Sequence, residues 1–187
     1  MKKTDFSLEE KTLAWDLDLV GNFDCGREDI LVLKRLPVPG IEEALKSARM
    51  HDFRSKITGA SSLALARESL AALNIKCAQL AFDIAFLADT FLVQFGIKEA
   101  CLRVEVVHKA TCPKFHCDNV RVRLVANYLG PATEYVHTDA PDAICSAPPF
   151  SLVFLKGRKH PNHADSVHHR SPEVPLGSKR MCVVLDF

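Results

Sequence analysis

His116 and Asp118 stand two residues apart in Cys112-Pro-Lys-Phe-His-Cys-Asp118, just ahead of an alternating apolar run, and His169 follows later in Val-His-His-Arg-Ser-Pro. In an extended chain, side chains alternate faces, so positions i and i+2 point the same way and can grip one ion together. An imidazole from a facing strand would complete a set of two histidines and one carboxylate. That set leaves coordination positions open and suits a non-haem Fe(II) ion that handles oxygen, although Zn(II) accepts the same donors. His168 and His169 are neighbours, so on a strand only one of them shares the face of the other two. Arg180 lies eleven residues beyond His169, a spacing that lets a strand–turn–strand unit return its guanidinium beside the ion. A planar guanidinium takes a carboxylate through two parallel N–H donors. Ion and guanidinium together suit a chelating keto acid.

These residues need strands to hold them. From about residue 100 the apolar period is two: Leu102, Val104 and Val106 alternate with Arg103 and Glu105, and Val120, Val122, Leu124, Ala126 and Tyr128 alternate with Arg121, Arg123 and Asn127. Continuing the parity of His116 and Asp118 puts Val120, Val122 and Leu124 on the ligand face, as the apolar interior of a barrel, and Arg121 and Arg123 on an outer face. Further strands are expected at 133–137, 151–156, 167–170 and 180–187, with Gly130-Pro131, Pro148-Pro149 and Gly157 as turns. Short strands with proline-rich connections and no intervening helix point to a sandwich or small barrel.

The N-terminal half reads as helical. Ser7-Leu-Glu-Glu10 has the spacing of a capping box. A short strand is expected at 30–36, stopped by Pro37-Val-Pro39-Gly40, then helices at 41–53, 62–73 and 75–95. In the last of these Lys76, Gln79, Asp83, Thr90 and Gln94 form one narrow polar stripe, so the helix is expected to lie almost buried on a sheet, with Gly96 ending it. Residues 1–98 thus make a mainly helical layer and 99–187 the β core, together one compact unit. Trp15 reads as a packing residue.

The 187 residues carry a net charge of +1 with scattered basic positions, so neither nucleic acid nor an anionic membrane is an expected partner. No apolar run is long enough to span a bilayer. The N-terminus has lysines without an apolar core behind them, and the seven cysteines form no C-x-x-C pair. Both features favour a reducing cytoplasm and free thiols. Cys112 and Cys117 flank His116, but their spacing is not that of zinc fingers. The loop 159–169 holds four of the eight histidines and reads as solvated, with His160 and His163 uninvolved. Tyr128 and Lys156 read first as core or rim residues. Together with Arg170 and Cys117 they are also candidates for holding substrate or supporting the ligands.

Four phrases in order, Phe-His-Cys-Asp-Asn-Val-Arg-Val-Arg-Leu, Tyr-Leu-Gly-Pro-Ala-Thr-Glu, Leu-Lys-Gly and His-Arg-Ser-Pro, resemble a bacterial family known only as a domain of unknown function. Ala132 replaces a glycine of the family phrase. The His-Arg-Ser-Pro phrase selects His169 over His168. That family is associated with zinc-responsive genes, which implies a role in zinc shortage. More distantly, the order of motifs resembles the Fe(II)/2-oxoglutarate dioxygenases. That resemblance implies a double-stranded β-helix of the cupin or jelly-roll kind buttressed by the N-terminal helices, an α+β fold. It also implies His116, Asp118 and His169 as Fe(II) ligands and Arg180 as the residue that binds the distal carboxylate of 2-oxoglutarate. The expected function is oxidation of an unidentified substrate. The alternatives are a non-catalytic zinc-binding protein of metal homeostasis and a degenerate barrel serving as an interaction module.

Overall fold

The computed structural model describes residues 15–187; the Ser7–Glu10 capping box lies outside them. In chain order the elements are α1 (Leu17–Cys25), β1 (Ile30–Leu33), α2 (Ile41–Lys46), β2 (His51–Ile57), α3 (Ser62–Ala72), α4 (Ala78–Gln94), β3 (Ala100–Val107), β4 (Val122–Leu129), β5 (Glu134–His137), β6 (Ala140–Ser146), β7 (Leu152–Lys156), β8 (Val167–Arg170) and β9 (Arg180–Asp186). Six strands form the major sheet in the order β1-β7-β4-β9-β3-β2, and three form the minor sheet β6-β5-β8. All the pairings are antiparallel. This is the α+β fold with a double-stranded β-helix core expected from the sequence.

The helices cover one face of the major sheet because α4 is apolar nearly all round. Its Leu80, Ile84, Leu87 and Phe91 are at most 1% exposed and pack with Leu102, Val104, Leu124, Phe154 and Leu185. Burying each such side chain contributes about 1.5–3 kcal/mol. The helix closes on Gly96 at φ +60°, with Ile97 N–H donating to Leu92 O and Gly96 N–H to Val93 O, a paired ending that a left-handed residue makes possible. Trp15 packs edge-on to Phe154 with ring centres 5.0 Å apart. Asp83 does not belong to a solvent stripe as its spacing suggests. It is buried, bonded to Arg35 Nη1 at 2.7 Å, and accepts from Tyr128 Oη at 2.5 Å.

Three local expectations differ from the structure. Helix α2 ends at Lys46, and 51–57 is strand β2, not helix. Phe53 and Ile57 face the core on it, while Asp52, Arg54 and Lys56 occupy the other face. Those charges both hide the strand's period and protect an outer edge of the sheet. Strand β6 is exposed along its length and therefore leaves no apolar signature. Finally, β1 and β2 belong to the major sheet, so the N-terminal half supplies strands at both of its ends.

Candidate metal centre

The chain bends at residues 119–121 before β4 begins, and the bend overturns the simple parity argument. Val122, Leu124, Ala126 and Tyr128 face the helices, whereas Arg123, Val125 and Asn127 turn toward the minor sheet. The apolar interior between the sheets is made by Val125, Val153, Leu155, Cys182 and Val184. His116 and Asp118 sit at the mouth of this interior.

His116 and His169 oppose one another in an isolated antiparallel bridge, exchanging N–H···O bonds of 3.0 and 2.9 Å through their backbones. This fixes the two rings 4.6 Å apart. Asp118 completes the group: one ligand atom from each of His116, Asp118 and His169 lies within 4.8 Å of the others. Among the described residues this is the one group of His, Cys, Asp and Glu side chains close enough to share an ion. His168 points elsewhere, with Nε2 3.2 Å from Asp165.

The donors are oriented as ligands. His116 Nδ1 is 2.8 Å from Lys114 O. A carbonyl only accepts, so Nδ1 donates to it, and Nε2 is the nitrogen turned toward Asp118, 3.5 Å from Oδ1. Burial lowers the pKa of His169 despite the carboxylate beside it, keeping the ring neutral and able to coordinate. Burial alone would raise Asp118, but His169, Arg123 and His116 outweigh it and hold the carboxyl below its ordinary range. Asp118 Oδ1 is paired in charge with Arg123 Nη1 at 2.6 Å. Oδ2 is buried, 3.0 Å from His169 Nε2, with no donor aligned on it. A buried oxygen without a donor facing His169 Nε2, with His116 Nε2 beside the other oxygen of the same carboxylate, fits a divalent ion.

The loop that carries Asp118 is backed by residues 157–159, which donate to Arg121 O, Asp118 O and Val120 O at 3.0, 2.8 and 3.1 Å. A Cβ on Gly157 would lie 2.2 Å from Val120 O, so this close backing requires glycine. The His-rich loop is fastened, contrary to the solvated reading. His160 is 5% exposed, donating from Nε2 to Asp24 at 2.9 Å and accepting Asn162 N–H at Nδ1. Asp29, buried at the entrance to β1, accepts from Ala164 N, Ser166 N and Ser166 Oγ. Burial would raise its carboxyl, yet the Ser166 and Ala164 donors and nearby His163 hold it below the ordinary range.

Beside the ligands lies a small cavity, about 40 Å³, walled in part by Arg103, Glu105, Arg123, Arg170 and Arg180. Arg180 is buried there, donating from Nη1 to Glu105 at 3.1 Å and from Nε to Pro131 O at 3.1 Å. Arg170 donates to Glu134 at 2.7 Å and lies over Phe115. A second groove, of about 330 Å³, shares Arg103, Arg123 and Val184 with the cavity and is lined also by Arg54, Ser55 and Asp186.

Three candidates fall outside this setting. Tyr128 is buried on the helix face against Asp83, because the bend at 119–121 inverts its expected side. Lys156 donates to Gly26 O at 2.7 Å over the ring of Phe23. Cys117 alternates away from its neighbours, its Sγ 3.7 Å from His163 Nε2, and burial keeps it a thiol. Conversely, the sequence assigns Arg103 and Glu105 no role and puts Arg123 on an outer face, yet all three line the cavity. Their signal was an arginine–glutamate pair at i, i+2 on a strand whose other face is core, which placed both charges on one inward face.

Solved structures that resemble the chain across most of its length include the two that follow. The dioxygenase for auxin oxidation from rice superposes with a TM-score of 0.53 at 12% identity, covering 91% of this chain and 77% of its own. A Caulobacter crescentus protein assigned to the 2OG-Fe(II) oxygenase family superposes with a TM-score of 0.50 at 14% identity, covering 100% of this chain and 86% of its own. At such identities the likeness is one of fold. Comparison with curated proteins yields no match. No described helix is long and apolar enough to cross a membrane. The family model DUF1826, protein of unknown function, matches residues 30–186, so the chain belongs to that family.

Proposed function

We propose that the protein is an Fe(II)- and 2-oxoglutarate-dependent oxygenase. The observation that carries this reading is the His116–Asp118–His169 group, with Asp118 Oδ2 buried and lacking a donor, at the mouth of a double-stranded β-helix. The fold is shared with the rice dioxygenase and the Caulobacter oxygenase-family protein, and the site gives it a chemical content that fold alone does not.

His116 Nε2, a single oxygen of Asp118 and His169 Nε2 would hold the ion. Bound there, Fe(II) with a keto acid would supply O₂ activation coupled to decarboxylation. The chain's own residues do the rest. Arg123, paired in charge with Asp118 Oδ1 and hydrogen-bonded to Asp186, keeps the carboxylate turned so that its other oxygen faces His169. The Lys114 carbonyl fixes the His116 tautomer. Arg180 offers a guanidinium at the far wall for a carboxylate tail. Val125, Cys182 and Val184 line the dry side and exclude water. The groove that shares Arg103 and Arg123 with the cavity is where a substrate would approach.

Anaerobic titration of metal-stripped protein with Fe(II) and 2-oxoglutarate tests the reading. A saturable visible charge-transfer band is expected, absent in Asp118→Ala and weakened in Arg180→Ala. Tight stoichiometric zinc binding with no such band for iron would overturn the oxygenase reading.

A further inference from the structure

The seat for a carboxylate beside Arg180 is already taken by the chain's own Glu105. Arg180 Nη1 reaches Glu105 Oε1 at 3.1 Å, and both side chains are at most 3% exposed. The same oxygen accepts from Cys182 Sγ at 3.1 Å, and burial pushes that thiol up to about 12, so the proton is present to donate. The open space left beside the pair, about 40 Å³, is room for about three waters. A ligand's carboxylate therefore reaches the position facing Arg180 Nη1 only in place of Glu105.

Glu105 also has somewhere to go. Its Oε2 is paired in charge with Arg103 Nη2, yet no N–H is aligned on it. Arg103 is itself a quarter exposed and anchored to Asp52 on β2 at 3.0 Å. It therefore has solvent on one side and can follow the carboxylate. We infer that Glu105 is a resident competitor for Arg180: a ligand's distal carboxylate takes the seat by shifting Glu105 onto Arg103. Glu105 then sets how strongly the cavity selects a dicarboxylate over a keto acid without a tail. This inference rests on the proposed function, because it concerns the tail of the same cosubstrate.

The experiment is anaerobic calorimetry on the full 187-residue chain loaded with Fe(II), titrated with 2-oxoglutarate and separately with pyruvate. Pyruvate has the chelating head and no tail. In Glu105→Gln the competing charge is gone. Binding of 2-oxoglutarate should tighten about tenfold, the worth of one charge-assisted hydrogen bond, while pyruvate stays within about twofold. Equal or weaker 2-oxoglutarate binding in the variant, with binding to the unmodified chain intact, overturns the competitor role and leaves the proposed function standing. Failure of the unmodified chain to bind either acid overturns both. Should Glu105→Gln not fold, Cys182→Ala removes a donor to Oε1 without changing charge. It should tighten 2-oxoglutarate by about threefold and leave pyruvate unchanged; no tightening there overturns the inference equally.

Discussion

A buried arginine–carboxylate pair lies on each face of the major sheet, and the two differ in how completely the carboxylate is satisfied. On the helix face Asp83 takes Arg35 through both oxygens, at 2.9 and 2.7 Å, and Tyr128 Oη closes the second. Burial pushes the Tyr128 phenol well above its ordinary range, so it remains a donor. On the other face Glu105 shares itself among Arg103, Arg180 and Cys182, leaves Oε2 without an aligned donor, and borders a cavity next to the candidate ligands. A carboxylate with donors on both oxygens is a cross-link between layers, even though Arg35 Nη2 itself has only the Tyr128 ring beneath it. A carboxylate with an unmatched oxygen on a cavity wall is a place for a ligand to enter. The same residue types serve structure or binding according to whether both carboxylate oxygens already have their donors.

The sharpest way to break this comparison is Asp83→Ala, which strands Arg35 without a counter-charge. It should cost about 3–5 kcal/mol in urea unfolding, with Fe(II) affinity of the folded protein unchanged. Asp118→Ala should do the opposite. Fe(II) affinity, followed by competition against a chelating dye, should fall more than about 100-fold, since even supporting residues of metal sites are worth 10–100-fold, and stability should change less than in Asp83→Ala.

A third substitution, Asp29→Asn, tests the fastening of the His-rich loop. It should lose about 1–3 kcal/mol at neutral pH, because the amide cannot match the donors of Ala164 and Ser166. The folded carboxyl lies below its ordinary value, so its stabilisation is complete above about pH 4 and drains away as pH falls through the folded value. Unfolding curves of variant and parent should therefore converge in acid. The smallest effect is expected from Tyr128→Phe, about 1 kcal/mol, with 2-oxoglutarate binding unaltered. A weakened affinity there would contradict its placement on the helix face.

Much of the centre was legible in the chain because its parts are local: His116 and Asp118 are two apart, and the phrase around His169 chooses between adjacent histidines. The rest is non-local. The bend at 119–121 breaks a parity that residue types alone continue, and so Tyr128 and Arg123 exchanged sides. Strand β2 went unseen because only Phe53 and Ile57 of its seven residues meet the core, and β6 because it buries no face. The helices α3 and α4 were visible for the contrary reason: their apolar character is dense enough to need no partner for recognition. The tethering of His160 through Asp24 joins residues far apart in sequence, and no short pattern encodes it.

The backbone clasp between His116 and His169 has a further consequence for how the centre is assembled. The two rings are brought together by main-chain hydrogen bonds in which no side-chain nitrogen takes part, so closing the clasp uses up none of the ligand atoms. Small zinc domains differ, since in them the metal supplies the folding free energy itself. Here strand pairing shares that work, and which ion the centre holds is set by what the surroundings offer and how long each stays.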